Sequence, residues 1–320
     1  MGSVAGLALF GEAAAQVPAY PSRAIKIIAS AAPGSPTDLA GRLVSEALAV
    51  KYGQTVTVEN RAGAGGLIGM QAAAASAPDG YTLATGGLGN NVIPPVTMKG
   101  LPIDIPKVLI PVAQVGEFAN VLVLRADHRA RSVDELVRGF KSMKAAPLYG
   151  SNGTGTSSHL TSELFGLRTG VKVSHVPYKG STDALVGVAN GDLDFCFMNV
   201  PPSLPLVAAG KIKVLATTSA YRIRQLPDTP TMQEQGMAGF DVTSWLGIYA
   251  PAGVAPELMK KLSNDIVDGL SGPEYQKRLV TAGFEPKFRR VDEFVEWNNA
   301  ELKRWDEVAK AANISFNYGG

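Results

Sequence analysis

The chain reads as an α/β protein built in two lobes, on three observations. Short β-branched runs alternate with amphipathic stretches of helical period, the pattern of parallel sheets covered by helices. Each strand passes into its helix through a Gly- or Ser-rich loop, and this order is laid down over residues 25–91 and again over residues 148–199. At 320 residues the chain is long for one core and comfortable for two.

In the first lobe Ile25, Ile27 and Ile28 mark a buried strand, followed by Pro33-Gly34 and an amphipathic segment carrying Leu39, Leu43, Ala47 and Leu48. Ser35 suits the N-cap, Pro36 the first helical position and Asp38 the third, so Ser35-x-x-Asp38 approximates a capping box. A helix start of this kind leaves N–H groups and the positive end of the macrodipole free for a carboxylate or phosphate. Residues 55–60 alternate as a second strand, and Arg61-Ala62-Gly63-Ala64-Gly65-Gly66 turns them into an Ala-rich helix over residues 67–75. Gly63-x-Gly65 is not a dinucleotide fingerprint, because Ile68 falls where the third glycine belongs and no acidic residue closes a following strand. A Pro78-Asp79-Gly80 turn leads to a third strand and the loop Gly86-Gly87-Leu88-Gly89-Asn90-Asn91. Three loops thus gather at the carboxyl ends of parallel strands, where open α/β sheets bind ligands. Irregular, Pro-rich sequence over residues 94–111 then precedes a strong strand at residues 120–124, read as a crossing to the second lobe.

The second lobe repeats the scheme. Ser132 caps a helix over residues 134–144, and residues 148–150 form a strand entering Ser151-Asn152-Gly153-Thr154-Gly155-Thr156-Ser157-Ser158-His159 ahead of a helix. Nine residues of hydroxyls, amides and glycines are more than a connection requires and offer a second anion seat. Strands follow at residues 173–178, 194–199 and 213–218, and residues 243–250 read as the return crossing. Helices over residues 257–270, 273–282 and 291–312 close the chain, their apolar positions spaced as core.

Composition narrows the function. A formal net charge of +2 gives no reason to expect nucleic acid or an anionic membrane as partner. Cys196, the single cysteine, lies in an apolar run and reads as core packing. His128, His159 and His175 are too scattered for a zinc site, and no metal or cofactor is expected. An enzyme would need a positioned acid, base or nucleophile, and no Gly-x-Ser-x-Gly elbow or partnered histidine is found. Residues 1–18 resemble the end of a secretory signal without its basic start, or a disordered tail, and an exported chain is expected.

Five motifs in one order, Pro33-Gly34-x-Pro36-Thr37-Asp38, Val58-Glu59-Asn60-Arg61-x-Gly63-Ala64-Gly65-Gly66, Ala77-Pro78-Asp79-Gly80-Tyr81-Thr82-Leu83, His175-Val176-Pro177-Tyr178-Lys179-Gly180 and Ala250-Pro251-Ala252-Gly253, resemble the Bug-type substrate-binding proteins of tripartite tricarboxylate transporters. The resemblance covers about residues 20–312. It implies a two-lobed periplasmic-binding-protein (Venus flytrap) fold with two crossing strands, which closes on a small carboxylate and delivers it, as a monomer, to membrane permease subunits. The lobes are expected at residues 19–120 plus 246–320, with the C-terminal helix reaching the other lobe, and at residues 121–245. Matched residue by residue, the ligand loops are Ala32, Pro33, Gly34, Ser35, Thr37 and Asp38 with Gly86, Gly87 and Asn90 in one lobe. In the other they are Ser151, Asn152, Gly153, Thr154, Gly155, Thr156 and Ser157, bordered by Tyr178, Lys179 and Asn199. Members commonly place a large aromatic residue shortly before the Pro-Gly turn, a second glycine after it, a hydroxyl residue after the third strand and an acidic residue before the position of Asn199. This chain has Ala29-Ser30-Ala31-Ala32, Ser35, Gly86-Gly87 and Met198 there. The small residues lead to the expectation of a widened pocket for a flat dicarboxylate, terephthalate-like. The alternative is that Phe118 or Trp245 fills the space and leaves a site for short aliphatic di- or tricarboxylates or acidic amino acids.

Overall fold

The computed structural model describes residues 20–178 and 180–318. The signal-like N-terminal segment and Lys179 lie outside the described residues.

The elements run β1 (Ile25–Ala29), α1 (Pro36–Tyr52), β2 (Val56–Asn60), α2 (Leu67–Ala74), β3 (Thr82–Gly86), α3 (Ile93–Thr97), β4 (Met98–Lys99), α4 (Ile105–Val108) and β5 (Leu109–Arg125). They continue through α5 (Val133–Ser142), β6 (Leu148–Ser151), α6 (Ser157–Thr169), β7 (Ser174–Pro177), α7 (Ser181–Asn190), β8 (Phe195–Asn199), α8 (Val200–Ala208) and β9 (Ile212–Thr217). The chain closes with β10 (Thr243–Pro251), α9 (Pro256–Leu270), α10 (Pro273–Thr281), α11 (Val291–Ala311) and β11 (Phe316–Asn317).

Topology makes the internal repeat visible. One half of the sheet is ordered β2-β1-β3-β10-β5 and the other β7-β6-β8-β5-β9, each with three parallel strands followed by two antiparallel ones. β5 belongs to both. Its first part, to Ala119, pairs with β10, and from Asn120 onward it pairs with β8 and β9. The chain returns where the Val242 N–H donates to Thr218 O and the next residue opens β10. Register shifts at Leu246/Gly247 and Ile248/Tyr249 pass over Val115 and Val112, so the extra residues of these irregularities belong to β5.

Successive residues of each strand serve opposite faces. Ile27 joins the cluster with α1 and α9 (Leu43, Ile266), whereas Ile28 joins the one with Met70, Trp245, Phe294 and Trp305. Phe195 and Phe197 belong to this second cluster as well, so one apolar layer runs under both halves. Cys196 and Met198 face the third cluster, and Cys196 is the buried packing residue that its apolar run predicts. The 94–111 stretch, read as irregular, differs from expectation: it holds α3, β4, α4 and the first residues of a 17-residue strand. Pro94, Pro95 and Pro106 sit in the first turns of α3 and α4, where no N–H is missed, while Pro102 lies in the connection between them and Pro111 in β5. α11 packs against α3, β5 and α6, touching both halves of the sheet.

Candidate functional site

Strands β1 and β6 occupy equivalent places, and each feeds a helix whose first turn opens on one cleft. At α1 the Ser35 Oγ accepts the Asp38 N–H at 3.2 Å with Ser35 extended (φ −73°, ψ 162°), and Pro36 follows in the first turn. The Asp38 carboxylate departs from a capping box. It accepts the N–H of Gly34 at 2.9 Å instead of that of Ser35, together with Asn60 Nδ2 at 2.8 Å and Arg42 Nε at 2.9 Å. Burial opposes its charge, and these donors outweigh burial and hold the carboxyl below its ordinary value. Gly34 sits at φ 80°, a left-handed turn that favours glycine. Asp38 therefore braces the loop from behind, while Ser35 and Thr37, their hydroxyls 3.3 Å apart, line the cleft.

At α6 the cap is Thr156, extended at φ −89° and ψ 168°, and the N–H groups of Ser157 and Ser158 are left without intrahelical acceptors. The preceding loop is tied internally. The Thr156 hydroxyl donates to Gly153 O at 2.7 Å, the Ser158 hydroxyl to Asn152 Oδ1 at 2.6 Å, and the Gly155 N–H to His159 Nδ1 at 3.0 Å. Ser151 Oγ lies 2.6 Å from His175 Nε2, and the two imidazoles stack with centroids 4.0 Å apart. Two of the three histidines judged scattered in sequence, His159 and His175, thus meet, and no three metal-ligating groups gather among the described residues.

The cleft has a volume of about 270 Å³. Its polar wall is Ser35, Thr37, Asn90, Asn152, Thr154, Thr156, Ser157, Asn199 and Ser244, and its apolar wall includes Leu88, Met98, Leu101, Ile105, Phe118, Trp245 and Leu246. No charged side chain lines it among the described residues. An adjoining hollow of about 460 Å³ shares Ser35, Pro36, Asn152 and Asn199 with the cleft, and Pro201, Pro202 and Phe284 form its outer side.

Of the sequence-predicted positions, Ser35, Thr37, Gly87, Asn90, Asn152, Thr154, Gly155, Thr156, Ser157 and Asn199 line the cleft. Ala32, Pro33, Gly34, Asp38, Gly86, Ser151, Gly153 and Tyr178 do not. Ser151 is fully buried under its own loop, and Tyr178 points to α7, its hydroxyl 2.7 Å from where a Cβ on Gly187 would stand. The small residues invoked for a wide pocket have another cause. A Cβ on Gly87 would lie 2.1 Å from Trp245 O and one on Gly86 1.9 Å from Asn91 Oδ1, so those glycines serve close approach. Ser30 is buried against Gly69 of α2, and of residues 29–32 only Ala31 reaches the cleft. Phe118 and Trp245 both stand in the wall and take part of the space.

Sequence reasoning missed Leu88, Met98, Leu101 and Ile105, all from the excursion between β3 and β5. Its length was the available signal, since a long connection inside a compact fold is commonly functional.

Residues 40–314 match the tripartite tricarboxylate transporter family receptor. The chain is 33% identical to Protein BugT of Bordetella pertussis over 295 residues, 91% of this chain and 90% of that protein. Among solved structures it resembles R. palustris Rpa4515 with adipate (TM-score 0.81, 31% identity, 92% of this chain and 99% of that one). It also resembles MatC (Rpa3494) from Rhodopseudomonas palustris with bound malate (TM-score 0.75, 27% identity, 90% and 99%).

Proposed function

This chain belongs to the tripartite tricarboxylate transporter receptor family, whose members are solute-binding receptors and not enzymes, and we propose that it captures a dicarboxylate with a flat apolar body, terephthalate-like, in the periplasm. The observation that carries the reading is the opening of two helix N-termini, α1 and α6, from opposite halves of the sheet onto one cleft walled otherwise by apolar side chains. Helix starts and hydroxyls suit carboxylates, and the walls from Leu88, Leu101, Ile105 and Trp245 suit a ring, at about 25 cal/mol for each Å² removed from water. A planar diacid also has few rotors to freeze. The halves act as lobes that meet near residues 120 and 245, close on the ligand and present it, as a monomer, to membrane permease subunits.

A specific observation favours a second reading, a flexible aliphatic diacid: a relative of 31% identity carries adipate, and Phe118 and Trp245 narrow the cleft. A thermal-shift screen followed by competition calorimetry separates the two. Ligand at about 100 times its Kd should add roughly 2.7 kcal/mol of stability. Tighter binding of terephthalate than of adipate, malate and succinate is expected. The reverse order selects the aliphatic reading, and a panel of acids without effect beside a neutral sugar or cation that binds overturns both.

A further inference from the structure

We propose that His159 is a positioning residue that holds the 151–157 loop in its cleft-facing shape only as a neutral imidazole, so that taking up a proton there releases the loop. The decisive contact is the Gly155 N–H donated to His159 Nδ1 at 3.0 Å, inside a buried environment. Nδ1 must present a lone pair to accept it, which fixes the ring as the Nε2–H tautomer. A proton on Nδ1 sets two donors against each other. Gly155, at φ 74°, then loses the bond that ties its left-handed turn to the first turn of α6.

The surroundings leave the imidazolium uncompensated. His175 of β7 stacks on His159 at 4.0 Å, so a second cation would repel the first. Tyr149 of β6 lies over both rings, and Phe316 of β11 packs against His159 from the other side. Glu163, one turn along α6, accepts the Tyr149 hydroxyl at 2.5 Å. Burial and the neighbouring ring lower the affinity of His159 for a proton to a pKa of about 3, and burial lowers that of His175 to about 4. The loop that these rings hold contributes Asn152, Thr154, Gly155, Thr156 and Ser157 to the cleft wall. Its consequence for ligand capture rests on the function proposed above, whereas the contact itself is tested without ligand.

The experiment follows the Gly155 amide in ¹⁵N-labelled, ligand-free protein between about pH 7 and about pH 4, with the Val123 amide of β5 as core reference. Three proteins are compared: wild type, H159N, whose Oδ1 can accept the same N–H without titrating, and H159F, which cannot accept it. Wild-type Gly155 should be protected near neutrality and on acidification lose tenfold or more of its protection factor beyond any loss at Val123, which follows global stability. H159N should stay protected throughout and H159F be unprotected at both ends. The proposal is overturned if on acidification Gly155 loses no more protection than Val123 does, or if H159F protects Gly155 as well as wild type does. Should H159F fail to fold, wild type against H159N decides: equal acid loss in both sinks the idea.

Discussion

The two halves of the sheet build the same turn from opposite chemistry. After β1 the loop is fastened by a charge, the Asp38 carboxylate shared among Gly34 N–H, Asn60 and Arg42. After β6 it is fastened by uncharged groups, with His159, His175, Ser151, Asn152 and Ser158 trading bonds under the chain. The difference shows how, among the described residues, the wall of the cleft is kept free of fixed charge. Asp38 turns its back to the cleft with Arg42 beside it, and the other loop avoids ions altogether. What both halves present is the same, a capped helix start with hydroxyls.

The largest test of that contrast is Asp38→Ala. It strips the acceptor from the Gly34 N–H and the Asn60 amide at once, both in part-buried bonds, and should cost about 2 kcal/mol in urea unfolding. Arg42→Ala removes only the half-exposed partner and should cost less than about 1 kcal/mol. Equal losses in the two variants would mean that the ion pair, and not the carboxylate's hold on the backbone, fastens the first loop.

Acid separates the halves by window. His159 and His175 have folded pKa values, about 3 and about 4, below the ordinary 6.5. The unfolded chain therefore binds protons first as pH falls, and their contribution is complete above 6.5 and lost as pH drops from there toward 4 for His175 and toward 3 for His159. Asp38 is also lowered, from 3.8, so its contribution is still present where most of theirs is gone and fades only below 3.8. Wild type should lose about 4 to 5 kcal/mol between near-neutral pH and about pH 4.5, and H159N about half as much, since one of the two titrating rings is gone. A loss in H159N equal to that of wild type would move the acid sensitivity elsewhere.

Much of this was legible in the sequence. β-branched runs, caps and turn glycines are local, so Ser35, Ser132, the two loop-to-helix starts and the strand at residues 120–124 could be read directly. Contacts across distance could not. Gly86-Gly87 looks the same in a string whether a glycine makes room for a ligand or for Trp245 O, more than 150 residues away. The His159 and His175 stack depends on β6 and β7 being neighbours, a fact of topology. The apolar wall from Met98, Leu101 and Ile105 was hidden because proline-rich sequence reads as irregular when most of its prolines stand in the first turns of short helices.

The smallest effect gives the cleanest comparison of the two loops. Ser35 does two things, capping α1 through the Asp38 N–H and lining the cleft, so Ser35→Ala should cost about 1 kcal/mol of stability along with any loss of binding. Thr154 lines the cleft, and among the described residues its hydroxyl makes no hydrogen bond within the protein, so Thr154→Ala should leave unfolding within about 0.5 kcal/mol of wild type. Calorimetry with terephthalate or adipate as probe should then show Thr154→Ala weaker by roughly 0.5 to 1.5 kcal/mol, rising toward 3 where the hydroxyl bonds a charged carboxylate. With no arginine in either loop and no charged side chain in the cleft wall among the described residues, the loss should not be absorbed by a cation of that wall. If Ser35→Ala loses stability and affinity while Thr154→Ala loses neither, the ligand is held by the first loop alone. The second loop would then act as a wall, and the symmetry of the two seats would be one of fold without one of function.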